Sequence, residues 1–229
     1  MDADRRAGYV GSGPGEITPD GCAVELYKRL PVGDEPEIIA AAVPPPARLL
    51  ELGCGAGRVT RALVAKGYDV TAVDESAAML AHVDGAAKVR SSIEDLVLPG
   101  TFDVVVLGSF LVHAGDPAVR AALLATCRRY VDYDGHVLIQ REGADWHDRV
   151  PRETRIGDGV ARVVASEDVG DGVRSVRVEY EFPDARWTHT FRSRPLTVRE
   201  FEQALSGAGL FVERYLTPDG TWVAASPRN

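Results

Sequence analysis

From Leu49 to Gly57 the chain reads Leu-Leu-Glu-Leu-Gly-Cys-Gly-Ala-Gly: an apolar run, then three glycines at a spacing of two, then a stretch with helical spacing over 57–66. A strand that turns at once into a helix leaves few folds open. Glycine supplies the backbone angles such a turn needs and lets a ligand come close to the main chain. The strand-to-helix step then recurs. Strand Arg48–Leu52 leads to helix 57–66, and strand Asp69–Val73 to helix 76–82. Strand Ala86–Arg90 is followed by a short connection to strand Phe102–Leu107, and helix 117–130 leads to strand His136–Gln140. These strands are short and rich in Val, Leu and Ile, without strict alternation, as strands covered on both faces of a parallel sheet are. Strands alternating with helices build βαβ units. The spacing therefore predicts an α/β chain with a doubly wound, mostly parallel sheet.

That rhythm breaks after residue 150. Residues 160–165, 173–182 and 187–192 read as three antiparallel strands, an insertion that follows the fifth core strand. Val176, Val178, Tyr180 and Phe182 alternate with Arg177, Glu179 and Glu181, the period of a half-buried strand. Gly170-Asp171-Gly172 and Pro183-Asp184 are turn signals between them. Thr197 with Glu200 three residues later forms a capping box for a helix running to Ser206. Gly207 and Gly209 stop that helix, and a hairpin over 210–225 with the turn Pro218-Asp219-Gly220 ends the chain. The hairpin brings the core sheet to seven strands. Upstream, residues 1–20 read as a loose arm, 22–30 as a helix with Ala23, Leu26, Tyr27 and Leu30 on one face, and 35–42 as a short helix ended by Pro44-Pro45-Pro46. The expected organisation is an N-terminal arm and lid helix over 1–34 and a core over 35–145. An antiparallel substrate-side insertion over 146–195 follows, and a C-terminal helix and hairpin over 196–229 complete the core.

The formal net charge is −8 and no run of Lys or Arg occurs. Nucleic-acid binding draws on a basic face, and so does an anionic membrane surface, so neither is an expected partner. Three cysteines, Cys22, Cys54 and Cys127, without C-x-x-C spacing give neither a disulfide framework nor a zinc site, and no metal is expected. The opening residues MDADRRAGYVGSGPGE hold no apolar stretch of the secretory kind, and no apolar run reaches the ~18 residues of a membrane span. A cytoplasmic protein with reduced thiols is expected.

The glycine loop points to a class of ligand. Asp74 ends the next strand, 21 residues after Gly53, where a carboxylate reaches the hydroxyl pair of a ribose in dinucleotide-type folds. That geometry indicates an adenosine cofactor. A nicotinamide fingerprint is G-x-G-x-x-G; here Arg58 occupies the sixth position and the third glycine comes one residue early. Glu51 lies two residues before the first glycine. Its carboxylate would repel a pyrophosphate and attract a sulfonium bearing an ammonium group. No G-x-x-x-x-G-K-[ST] phosphate loop is present.

Glu51-Leu52-Gly53-Cys54-Gly55-Ala56-Gly57 resembles motif I of the class I S-adenosylmethionine-dependent methyltransferases. Ala72-Val73-Asp74-Glu75-Ser76 matches the family's second acidic position. Ser92-Ile93-Glu94-Asp95-Leu96 stands where the family usually has Asp-x-x-x-Leu, so Ser92 is a departure. Phe102–Val106 resembles the fourth strand, Leu111-Val112-His113 the stretch after it, and the final hairpin the sixth and seventh strands. The resemblance covers about 35–140 and 196–226 and implies a Rossmann-like methyltransferase fold with S-adenosylmethionine as cofactor. It implies that Gly53, Cys54, Gly55 and Gly57 line the methionine moiety with Glu51 nearby, and that Asp74, with Glu75 and Ser76 beside it, holds the ribose. Met79 would pack near the adenine, Ser92, Ile93 and Glu94 would edge the base, and Ser109 and Phe110 would lie at the fourth strand's exit. Tyr27 would either close over the cofactor or belong to a helix core.

The sequence leaves the acceptor open. His113 is the expected general base, with a hydrogen-bonded structural histidine as the other reading. Arg141 and Glu142 follow the fifth strand, where ligands meet such sheets; Arg141 is expected to contact substrate, with pairing to Glu142 in water as the other reading. Trp146 is expected to wall an apolar substrate pocket with Trp187 and Phe191, with plain packing of the antiparallel strands as the other reading. The expected function is methyl transfer to an oxygen or nitrogen of a small metabolite by a monomer or homodimer. A non-catalytic cofactor-binding module is the other reading. A nicotinamide reductase is disfavoured by the early third glycine and by Glu51.

Overall fold

The computed structural model describes residues 6–227; the first five residues of the expected arm lie outside the described residues. The chain divides into two compact units. One is drawn from the residues up to Pro31 and from Ala144–Pro195, the other from Val32–Gly143 and Leu196 onward.

The first unit holds β1 (Val10–Ser12) and a single-turn helix α1 (Val24–Tyr27). The second begins with α2 (Glu35–Ala42), followed by β2 (Arg48–Leu52), α3 (Arg58–Lys66), β3 (Asp69–Asp74), α4 (Ala77–Leu80), β4 (Ala87–Arg90), β5 (Phe102–Leu107), a 3-10 turn at Leu111–His113, α5 (Pro117–Tyr130) and β6 (Val131–Gln140). The chain returns to the first unit for β7 (Arg152–Ile156), β8 (Gly159–Asp168), β9 (Arg174–Glu181) and β10 (Arg186–Ser193). It then closes the second with α6 (Val198–Gly207), β11 (Leu210–Tyr215) and β12 (Trp222–Pro227).

The second unit is the doubly wound sheet the sequence predicts. Its seven strands run in the order β11-β12-β6-β5-β2-β3-β4. The pairs among β6, β5, β2, β3 and β4 are parallel, and β12 is antiparallel to both neighbours. In β2, Leu50 and Leu52 point to one face, packing with Val105, Leu107, Leu124 and Phe201; Leu49 points to the other, with Ile39, Leu63, Val104 and Leu138. Burial on both sides is why this strand reads as a continuous apolar run. Chain order reverses between β2, which continues outward to β3 and β4, and β5, which continues to β6. In open α/β sheets ligands bind beyond the carboxyl ends of the strands at such a reversal. Here those ends are Gly53 and Gly108.

Side-chain caps set the helix starts. Asp116 accepts the Ala118 N–H at 2.7 Å with Pro117 in the first turn of α5. The capping box of Thr197 and Glu200 is present at the start of α6.

The first unit is a five-stranded antiparallel sheet, β1-β10-β9-β8-β7. It departs from the expectation of three strands. β7 has no strand signal because Arg-Glu-Thr-Arg-Ile is polar up to its last residue; it is an edge strand, where charge is the normal composition. β1 lies in the segment read as a loose arm. Its glycines hide any alternation, and the pairing of Val10–Ser12 with Thr188–Thr190 makes it a strand. α1 is shorter than the expected 22–30 because Ala23 bridges to Ile17 and the Val24 N–H bonds to Glu16 O at 3.0 Å, which commits the preceding residues to a turn. Ala23, Leu26, Phe182 and Trp187 form the core there, and the Trp187 indole N–H donates to Pro14 O at 2.9 Å.

Candidate functional site

The loop after β2 is built by glycine. Gly53, Gly55 and Gly57 have φ of 74°, 54° and 77°, angles that cost a side-chain-bearing residue stability. The carbonyl of Val73 on β3 accepts the N–H groups of both Gly53 and Cys54 at 2.9 Å, so the loop hangs on the neighbouring strand. Asp74 locks it from the same side: one carboxylate oxygen accepts the Gly55 N–H at 2.8 Å and the other the Ser76 N–H at 2.9 Å. Ser76 in turn accepts the Met79 N–H at 3.2 Å and caps α4. Met79 is buried, and the Glu75 carbonyl takes the Arg90 side chain at 3.2 Å.

Glu51 is the electrostatic centre of this region. It is 6% exposed, on the face of β2 toward α3. The Thr60 hydroxyl donates to its Oε2 at 2.6 Å, and among the described residues no donor reaches Oε1. Arg58 acts on it from a distance and is itself paired with Glu35 at 2.6 Å. Burial, the main cause, pushes the Glu51 carboxyl up from 4.5 to about 7; the Thr60 bond and Arg58 oppose that, while Asp74 and Glu35 add to it. The Cys54 thiol is pushed far up, by burial first and then by Glu51 and Asp74. Burial thus disfavours the charged form of Glu51, and a cation placed beside it would restore that charge. The loop suits a cation and not a diphosphate.

Ile93 packs beside the loop, its Cδ1 3.8 Å from where a Cβ on Gly53 would stand. Ser92 caps its own turn, donating to Asp95 Oδ2 at 2.8 Å and accepting the Asp95 N–H at 3.2 Å. Glu94 is half-buried between them.

Ser109 and Phe110 follow β5 with φ of 52° and 60°, two successive non-glycine residues in the left-handed region. Such angles persist where surrounding bonds fix them. The Ser109 N–H donates to Gln140 Oε1 at 2.8 Å, and the His113 N–H bonds to Phe110 O at 2.9 Å. His113 is 3% exposed; its Nε2 accepts the Glu142 N–H at 3.0 Å and its Nδ1 lies 3.4 Å from Glu142 Oε2. The ring expected to serve as a base thus has both nitrogens engaged by Glu142. Arg141 is turned inward too. Its guanidinium donates to Leu196 O at 2.9 Å and lies 4.7 Å over Phe201, and its Nε is the one fully buried side-chain N or O without a hydrogen-bond partner among the described residues.

Tyr27 and Trp146 belong to the antiparallel unit. The Tyr27 hydroxyl accepts from the Cys22 thiol at 3.0 Å, and its pKa is held well above the ordinary 10 by burial, with Cys22 adding to it. Trp146 is half-buried, 6.4 Å from Phe191, with the Arg152 guanidinium 4.1 Å from its ring centre. Sequence reasoning gave no site role to Gln140. The signal for Gln140 was its place at the carboxyl end of a parallel strand. Among the described residues no group of three or more His, Cys, Asp or Glu is placed to hold a metal ion, and no helix is long and apolar enough to cross a membrane.

A family model described as "Methyltransferase domain" matches residues 27–214. A ubiquinone biosynthesis O-methyltransferase from Azotobacter vinelandii is 33% identical over 101 residues, which is 40% of this chain and 42% of that protein. The chain thus spans less than half the length of the curated relatives it matches. Among solved structures, an S-adenosylmethionine-dependent methyltransferase from Clostridium acetobutylicum superposes with a TM-score of 0.74 at 14% identity, over 90% of this chain and 97% of that one. An amino pentose methyltransferase from Micromonospora echinaspora, solved with S-adenosylmethionine bound, gives 0.66 at 20% identity, over 85% and 89%. At these identities the structures show a shared fold.

Proposed function

The chain belongs to the methyltransferase domain family, and from that premise we propose that it transfers the methyl group of S-adenosylmethionine to an oxygen or nitrogen of a small-molecule metabolite. The observation that carries this reading is the Glu51 carboxylate, buried beside the glycine turn with one hydroxyl donor and no ion-pair partner among the described residues. A buried carboxylate without a paired cation is costly, and the ammonium and sulfonium of this cofactor supply the missing charge.

The residues present fit the group. Gly53, Cys54, Gly55 and Gly57 give a close main-chain surface for the methionine part. Asp74, at the end of β3 and bonded to the Gly55 and Ser76 N–H groups, is assigned to the ribose hydroxyls. Ile93 offers an apolar edge for the base, with Met79 filling the core behind, and Glu75, Ser76, Ser92, Glu94, Ser109 and Phe110 lie along the rim. When bound, the cofactor supplies an activated methyl group, so the protein's contribution is alignment and exclusion of water. His113 and Arg141 are assigned to holding the crevice walls, on the strength of their inward bonds.

The antiparallel unit is assigned to the acceptor. Tyr27, Trp146 and Phe191 are half-buried aromatic surfaces within it, and such rings recognise planar or ring-shaped metabolites. The small-molecule acceptor is favoured over nucleic acid by the charge of −8. A cytoplasmic monomer or homodimer completes the reading.

Titration calorimetry with S-adenosylmethionine and S-adenosylhomocysteine tests the cofactor; absence of binding by both sinks the proposal. Transfer of labelled methyl to a panel of phenols, catechols and amino sugars tests the reaction. Binding with no transfer to any metabolite would leave a non-catalytic module.

A further inference from the structure

Two hydrogen bonds join the loop after β5 to the end of β6, and they run in opposite senses. The Ser109 N–H donates to the Gln140 side chain at 2.8 Å, and the Glu142 N–H donates to the His113 side chain at 3.0 Å. Each segment offers a backbone donor, and a side chain of the other receives it. The parallel ladder between β5 and β6 has its last pair at Leu107 and Ile139, so this clasp takes over where sheet bonding stops.

Within the clasp lie Ser109 and Phe110, both at positive φ. The next residue, Leu111, reaches back to the glycine loop: a Cβ placed on Gly53 would stand 2.9 Å from Leu111 Cδ1. Gln140, the Ser109–Phe110 turn, Leu111 and Gly53 therefore form an unbroken line of contacts across the reversal of strand order. Left-handed angles at a serine and a phenylalanine are unfavourable and relax unless the surroundings hold them.

We propose that Gln140 is a positioning residue for the cofactor: its amide oxygen holds the Ser109–Phe110 turn, and the turn keeps Leu111 against Gly53 so that the glycine loop retains its binding shape. This rests on the S-adenosylmethionine reading above. Gln140 acts on the glycine loop through Leu111.

The experiment is calorimetric binding of S-adenosylhomocysteine to the full chain, with the folded fraction of each variant read by circular dichroism. Gln140→Met keeps the shape and removes the acceptor; it is expected to weaken binding about fivefold, the net effect of one hydrogen bond lost at a solvent-exposed donor. Gln140→Glu restores an acceptor oxygen and is expected to bind close to wild type. Adding Ser109→Gly to Gln140→Met is expected to recover much of the loss, because glycine takes the left-handed angle without a strut. A general loss of stability would instead appear as a reduced folded fraction in circular dichroism, which is expected to match wild type in every variant. Wild-type binding with an unaffected Gln140→Met variant overturns this inference alone. A Gln140→Glu variant as weak as Gln140→Met also overturns it. Failure of the wild-type chain to bind removes the cofactor reading and this inference together.

Discussion

Glu142 engages His113 twice: its backbone N–H donates to Nε2 at 3.0 Å, and its carboxylate lies 3.4 Å from Nδ1. A neutral imidazole has one donor and one acceptor nitrogen. The backbone bond makes Nε2 the acceptor and places the ring proton on Nδ1, facing the carboxylate. A lone pair committed to a backbone amide is not available to a methyl acceptor.

His113→Leu is therefore expected to destabilise the chain by about 1–3 kcal/mol, the cost of an orphaned buried N–H, measured by urea unfolding. His113→Asn, whose amide oxygen can take the same N–H, is expected to recover part of that. In a labelled-methyl assay His113→Asn is expected to keep the shape of the wild-type pH–rate profile. Loss of one limb of that profile would give the ring a proton-transfer role instead.

Glu51 makes stability and cofactor binding depend on pH. Its folded pKa of about 7 lies above the ordinary 4.5, so the folded state binds more protons between those values and stability falls as pH rises through that window. The full effect is at most roughly 3 kcal/mol. Glu51→Gln is expected to melt higher than wild type at pH 8 in the absence of ligand, with little difference near pH 4. The same variant is expected to weaken S-adenosylmethionine binding by about tenfold or more, as a buried charge-assisted contact is lost. Calorimetry of wild type near pH 6.5 in buffers of different ionisation heat is expected to show proton release on binding; equal heats would contradict the assignment.

Gly53→Ala is expected to cost about 1–2 kcal/mol for its positive φ alone, and more because the new methyl would meet Leu111 Cδ1 at 2.9 Å. Adding Leu111→Ala opens the space and leaves the angle. The double variant is expected to recover some stability, read by thermal melting, without recovering cofactor affinity.

Trp187 is 1% exposed and its indole N–H bonds to Pro14 O at 2.9 Å. Trp187→Phe removes that bond and part of the packing. The expected cost is about 1–3 kcal/mol, read as faster amide exchange at Thr188–Thr190, which pair with β1. Unchanged exchange there would show that β1 does not depend on this anchor.

Much of the core was legible because its signals are local. α2 and α5 have the residue bounds that their spacing predicts, and the capping box at Thr197 is where Thr and Glu three apart place it. β1 and β7 were not legible. Gly-rich and charged segments have no period of their own, and they become strands only because β10 and β8 offer unpaired backbone groups. β6 also begins at Val131, five residues before the expected His136, since its first part pairs with Phe102 across an irregularity that no composition announces.

For the site, the order of residues alone determined the glycine turn, the acidic residue before it and the second carboxylate at Asp74, because a tight turn and a nearby charge are encoded within a few positions. Tertiary structure decided what those groups do to one another. Glu51 is buried by α3 and bonded by Thr60, Leu111 arrives at Gly53 from across the reversal of strand order, and His113 meets Glu142 from 29 residues away. Burial and hydrogen bonding at such separations depend on which strands lie side by side, and that is set by the packing of the whole sheet.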